Sequence, residues 1–302
     1  MKRHLLYIIT AVMLFLAVVT SCKKEKDEEN VMKMTTSASG DVTISLAGTG
    51  SATIDWGDGS ESDTKTISPP TGIDIAFTEF IHSYSGTNTR TIIISGKKIT
   101  GMICRYFPLT ALDVSENNVL KQLELSYNQL TNINVSNNTA LTCLHCSLNP
   151  LTSLNVSKNT ALTDLICYGT PLESLDVSNN TMLNLLWCFD NQLTSLDVSK
   201  NTMLVWLDCS GNQLAVDALD VLFGTLHSNT ITFPIPVPVI KEITIYNNPG
   251  TDDCNQSIAT EKGWTVKTNY PIPTSITHQS KMNKPNSKTI NYKTPQPWNK
   301  YL

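Results

Sequence analysis

The sequence predicts a mainly β fold: a repeating solenoid, preceded by a small all-β module and closed by a mixed C-terminal cap. Three observations predict it. Leucines recur with a period of 21 at Leu109, Leu130, Leu151, Leu172, Leu193 and Leu214, strand-like alternation fills the stretch from Met34 to Lys98, and the period decays beyond Leu214. With 302 residues, 40% hydrophobic and 16% charged, the chain can bury a sizeable core and hold two modest domains.

Lys2 and Arg3 precede an apolar run from Leu5 to Val19 and the small residues Thr20 and Ser21, which is the order of an export signal over residues 1–21. The run is shorter than the roughly 20 apolar residues a spanning helix needs, and no second run follows, so an integral membrane protein is not expected. "VVTSC" resembles the lipobox of bacterial lipoproteins, which implies lipidation of Cys22 and a mature chain that begins there. The charged linker of residues 22–33, "CKKEKDEENVMK", resembles the surface-export signal of outer-membrane lipoproteins. That resemblance implies a lipid-anchored, cell-surface location in the outer membrane; a periplasm-facing lipoprotein is the alternative.

Residues 34–98 alternate as strands in "DVTISLAG", "SATIDWGDGS" and "TRTIIISG", with Gly, Asp and Ser between the runs. "WGDGS" at residues 56–60 and "HSYSG" at residues 82–86 resemble the PKD-type immunoglobulin-like domain, which implies a small β-sandwich. It contains no cysteine, so packing alone must hold it.

Residues 99–213 are the repeats, and "LTSLDVSKNTMLVWLDCSGNQ" at residues 193–213 is a typical unit. Both of its halves follow L-x-x-L-x-(V/C)-x-x-N, which predicts two short extended segments per coil joined by asparagine-bearing turns. Ile99 to Cys104 fits the second half in the same register, so the β module should run directly into the solenoid. The pattern resembles the leucine-rich repeat family, in the bacterial class with nested periodicity called IRREKO. One such coil cannot bury its own apolar side, so the units must stack. Stacking aligns Asn117, Asn138, Asn159, Asn180 and Asn201, whose amides can satisfy backbone groups at the bends.

Residues 214–266 should cap the stack. "AVDALDVLFGTL" suits a short helix, and Asn248, Pro249, Gly250, Cys254, Lys262, Gly263 and Trp264 resemble the closing segment of repeat proteins of this class. Residues 267–302 hold six lysines, five prolines and no acid, and read as a disordered basic tail.

The net charge of −4 and pI near 5.7 supply no basic field for nucleic acid. Cys146, Cys167, Cys188 and Cys209 share one inward position and are expected as free, buried thiols, although stacking brings them within disulfide range. "CLHC" at residues 143–146 invites a metal reading, but alternation puts Cys143 and His145 outward and Cys146 inward. Glu124 beside His145 and Asp164 beside Cys143 form a second conceivable metal site. Asp55, Asp58 and Asp63 lack the spacing of an EF-hand and are better read as turn residues. No nucleophile, zinc-protease or Walker pattern is present, so no metal, cofactor or catalytic residue is assigned.

The reading is a non-catalytic binding or adhesion protein for a protein or glycan ligand. The alternatives are a spacer or stalk and, behind it, a cryptic glycan-active enzyme. A spacer should repeat its surface as monotonously as its core, whereas a binder should diversify one face. The first half of each unit is uniform, with Ser115, Ser136, Ser157, Ser178 and Ser199 at one outward position. The second half varies: Gln122, Cys143, Asp164, Leu185 and Trp206 at one outward position, then Glu124, His145, Ile166, Trp187 and Asp208. The expected ligand face is Trp187, Phe189 and Trp206, extended by Tyr168, Ile166 and Leu185, with His145 and Asp208 as polar margins.

Overall fold

A computed structural model describes residues 30–69, 77–231 and 239–269. The export signal, Cys22 and nearly all of the tail lie outside the described residues. The first strand, β1, spans Asn30–Thr36 and so begins four residues before the alternation read from Met34.

β1 is followed by β2 (Gly40–Gly48), β3 (Gly50–Asp55), β4 (Asp63–Ile67), β5 (Thr78–Tyr84) and β6 (Arg90–Gly96). Alternate residues of these strands, including Met32, Met34, Ile44, Leu46, Ile54, Phe80, Ile92 and Ile94, enter one buried cluster, as period-2 strands with one wet face require. The strands belong to two sheets, and each sheet continues past residue 98. β7 (Ile99–Ile103) pairs antiparallel with β2 on one side and parallel with β9 (Gln122–Glu124) on the other. β8 (Leu109–Asp113) pairs with β1 in the five-stranded sheet, whose order is β4-β3-β6-β1-β8. The β module is thereby built onto the first coil through both of its sheets.

From β9 the ladder is parallel through β10 (Cys143–His145), β11 (Asp164–Ile166), β12 (Leu185–Trp187) and β13 (Trp206–Asp208). The cap then contributes α1 (Val216–Thr225), β14 (Lys241–Thr244), α2 (Ser257–Thr260) and β15 (Trp264–Lys267). β14 and β15 extend the same ladder, so the parallel rungs continue into the cap. The protein is a mainly β, leucine-rich repeat solenoid.

Only the second half of each unit forms a ladder strand beyond β8, in place of the two extended segments expected per coil. β8 is a strand because β1 pairs antiparallel beside it, and among the described residues no strand pairs with the later first halves. In the first half, the Ser136 amide donates to Asn134 Oδ1 at 3.1 Å, and Ser157, Ser178 and Ser199 repeat this with Asn155, Asp176 and Asp197. These Asx turns close the bend after each segment, and β8 leads into the same turn, with Ser115 N donating to Asp113 Oδ1 at 3.0 Å. They also explain the uniformity of that face, because the serine and its Asp or Asn partner are needed by the turn.

The asparagine column satisfies the backbone across coils. Asn159 Nδ2 donates to Val135 O at 2.9 Å and Asn138 O at 2.9 Å, and Asn180 Nδ2 to Val156 O at 3.0 Å and Asn159 O at 2.9 Å. Both partners are carbonyls, so the amide can stand in only one orientation. A second column, Asn149, Asn191, Asn212 and Asn248, does the same at the other bend: Asn149 Nδ2 donates to Leu125 O while its Oδ1 accepts from Leu130 N. Thr170 stands in the place of an asparagine there.

Cys104, Cys146, Cys167, Cys188 and Cys209 are buried and free, with Leu125 completing their column. Burial pushes the Cys146 thiol up to about 12 and Cys167 and Cys188 well above their ordinary value, which keeps them protonated and inert. Titration of the unfolded, unreduced protein should therefore find all seven described cysteines as thiols; a count near zero would contradict the free column.

The cap closes by close approach and buried donors. A Cβ on Gly250 would lie 2.4 Å from the backbone of Ala215 and Val216, so only glycine fits where the N-P-G turn meets the start of α1. Lys241 Nζ donates to the carbonyls of His227, Asn229 and Lys262, and Trp264 Nε1 to His227 O at 2.9 Å.

Candidate functional site

Strand alternation and parallel register put the variable residues on the outer face of the ladder in two rows. One row runs Gln122, Cys143, Asp164, Leu185, Trp206; the other runs Glu124, His145, Ile166, Trp187, Asp208. Trp206 is 38% exposed and Trp187 is partly exposed, and neither belongs to the core cluster. Ile166 and Leu185, expected to extend the contact face, are instead 7% and 2% exposed. Each is flanked by the neighbouring rungs of its row, Ile166 by His145 and Trp187 and Leu185 by Asp164 and Trp206. They support the face from beneath.

Tyr168 and Phe189 follow just after the strands and stack with ring centroids 4.3 Å apart and planes inclined by 6°. Sequence reasoning missed their continuation. Tyr106 and Tyr127 stack at 4.3 Å and 26°, and the Tyr127 and Tyr168 side chains hydrogen-bond across the intervening coil. Tyr106 and Tyr127 occupy a column that also holds Leu148, Gly169, Asp190, Gly211 and Asn247, all with φ between 52° and 62°. A left-handed turn after every rung tilts the residue there out of the ladder. For a tyrosine this costs on the order of 1 kcal/mol. The signal was present in the 21-residue register, where Gly169, Asp190 and Gly211, residue types that tolerate a left-handed backbone, mark the position that Tyr106 and Tyr127 share.

The polar margins divide. Asp208 accepts from Ser210 N at 3.1 Å and Ser210 Oγ at 2.5 Å, and burial raises its pKa against those bonds. His145 belongs to a string of polar groups across neighbouring rungs: Arg105 pairs with Glu124, His145 Nδ1 lies 3.2 Å from Glu124 Oε2, and His145 Nε2 lies 3.2 Å from Cys143 Sγ. Burial would raise Glu124, but its bonds to His145 and Arg105 hold it below the usual carboxylate range. Asp164, paired with Cys143 on the next rung, is raised by burial despite a 2.6 Å bond from Thr163 Oγ1. As expected, Cys143 and His145 face out while Cys146 is buried. Among the described residues no three His, Cys, Asp or Glu side chains form a metal-binding group.

No protein-family model and no curated protein matches the sequence. Among solved structures, the chain is similar to the functional domain of InlJ from Listeria monocytogenes, which includes a cysteine ladder, at 25% identity and a TM-score of 0.37, covering 59% of this chain and 50% of that one. It is also similar to two internalins of Listeria monocytogenes str. 4b F2365. For inlF the identity is 20% and the TM-score 0.43, covering 53% of this chain and 45% of that one. For internalin C2 the identity is 22% and the TM-score 0.43, covering 57% and 81%. The match spans about half the length of the first two.

Proposed function

We propose that the chain is a non-catalytic, surface-displayed binding protein that recognises a protein or glycan ligand through the outer face of its parallel ladder. The observation that carries this is the row of partly exposed aromatics: Tyr106, Tyr127, Tyr168 and Phe189 in two stacked pairs, with Trp187 and Trp206 beside them. Such rings supply large, rigid contact area, and they suit either a sugar ring or a protein side chain. The opposite face is committed to Asx turns and offers little variation. A glycan and protein array probed with residues 23–266 tests the reading; a ligand should be retained, and its binding should fall when the aromatics are removed.

The finer parts of the reading rest on the N-terminal segments. A PKD-like module is supported by the packing of its two motifs: Trp56 stacks on His82 at 4.8 Å, Tyr84 Oη donates to Trp56 O at 2.9 Å, and His82 Nε2 lies 2.7 Å from Asp58 Oδ2. Attachment to the outer membrane through a lipidated Cys22 rests on the lipobox-like "VVTSC". Among the described residues no helix is long and apolar enough to cross a membrane. Cys22→Ala should abolish fatty-acid labelling; labelling that persists refutes the anchor.

A further inference from the structure

At the polar margin of the proposed ligand face, the outer rows also bring together a thiol, an imidazole and a carboxylate. Cys143 and His145 are two residues apart on β10, so they share a face, and β9 and β11 hold that strand on both sides. His145 uses both ring nitrogens, Nε2 toward Cys143 Sγ at 3.2 Å and Nδ1 toward Glu124 Oε2 at 3.2 Å, and Arg105 fixes Glu124 from behind. This is a thiol, an imidazole and an orienting carboxylate in line. The arrangement activates a cysteine because the imidazole takes the thiol proton and the carboxylate stabilises the imidazolium.

We propose that Cys143, held by His145 and Glu124, is a reactive surface thiol that exchanges with low-molecular-weight disulfides and so forms a site of covalent modification on the ladder face. The Cys143 proton passes to His145, and the thiolate sulfur attacks one sulfur of the incoming disulfide. Its S–S bond breaks, a new S–S bond joins Cys143 to one half, and the other half leaves as a thiolate that takes the proton back. No further oxidant is needed.

Two observations support this. The side chains of His145 and Glu124 are 24% and 14% exposed and Cys143 is partly exposed, so the group is sheltered yet reachable. The environment also favours a protonated imidazole: burial lowers the pKa of His145, but the bonds and charges of Cys143 and Glu124 outweigh it and raise it from 6.5 to about 10. The other charged and titratable groups facing the site are Arg105, Asp164 on β11, and Tyr106 and Tyr168, which interact with Glu124 and Arg105. Every other described cysteine is buried, so no described thiol stands ready to resolve the mixed disulfide. The adduct should persist until an external thiol removes it.

The test is the reaction of the full chain with cystine and with 5,5′-dithiobis(2-nitrobenzoate) under native conditions, read as a pH–rate profile with peptide mapping of the adduct. An ordinary thiol is only about 0.3% ionised at pH 6. Cys143 should react there about tenfold faster than N-acetylcysteine, and His145→Asn should slow it about tenfold at pH 6 while changing the rate at pH 9.5 less than about threefold. Glu124→Gln, which keeps the hydrogen bond and removes the charge, should give an intermediate rate, and Cys143→Ser should remove the fast adduct. If His145→Asn exposes the buried cysteines to the reagent, Glu124→Gln decides instead. Equal pH 6 rates for wild type and Glu124→Gln, or a wild-type profile that follows an ordinary thiol, would overturn the proposal.

Discussion

Replacing Trp187 and Trp206 together by alanine should abolish ligand binding while leaving thermal unfolding nearly unchanged. Aromatic anchors at interfaces commonly contribute about 2 kcal/mol or more each, so two of them account for about 4 kcal/mol, or on the order of 1,000-fold in affinity. Neither tryptophan belongs to the buried cluster, and the leucines behind them, Leu186 and Leu207, fill the core without them. The stability change should stay near that of an ordinary surface substitution, within about 1 kcal/mol. Collapse of the fold in the double variant would show that the rings are structural. Undiminished affinity would place the ligand elsewhere.

The largest effect on stability should come from the asparagine column. Asn180→Leu keeps the approximate volume but removes two donors, leaving the carbonyls of Val156 and Asn159 buried without their partner. An unsatisfied buried acceptor costs about 1–3 kcal/mol; the substitution creates two and removes one, the unpartnered Asn180 Oδ1, so the net loss should be about 1–3 kcal/mol in denaturant unfolding. The adjacent exposed Asn179→Ala should change stability by no more than about 0.5 kcal/mol. If both substitutions cost the same small amount, the column is not what joins the coils. Because a repeat protein is a stack of nearest-neighbour interfaces, the damage should spread from the two coils beside the substitution.

Much of this was legible in the sequence because a solenoid writes its geometry as a period. Twenty-one residues return each side chain to the same place, so Cys146, Cys167, Cys188 and Cys209 had to share one environment, and Asn138 and Asn159 had to meet. The same register put Trp187 and Trp206 on neighbouring rungs and Cys143 and His145 outside. What the register does not contain is side-chain length and backbone hand. Ile166 and Leu185 face outward by alternation but are buried, which packing and not spacing decides. Tyr106 and Tyr127 join the aromatic row through left-handed turns that their own residue type does not signal and that only Gly169, Asp190 and Gly211 in the same column mark. The L-x-x-L-x-V half read as extended, yet only its first copy, β8, becomes a ladder strand, because only there does β1 supply a partner. Arg105 reaches Glu124 from beyond the end of β7, an approach set by rotamer and not by spacing.

The ladder face, and not the Asx-turn face, is the surface proposed to meet the ligand. Probing one glycan and protein array in parallel with residues 23–266 in three forms tests this most immediately: unchanged, Trp187→Ala with Trp206→Ala, and Ser178→Ala with Ser199→Ala on the exposed uniform face. A ligand should be bound equally by the unchanged and serine-substituted forms and lost from the tryptophan-substituted one. A ligand that survives the tryptophan changes and is lost with the serine changes would contradict it.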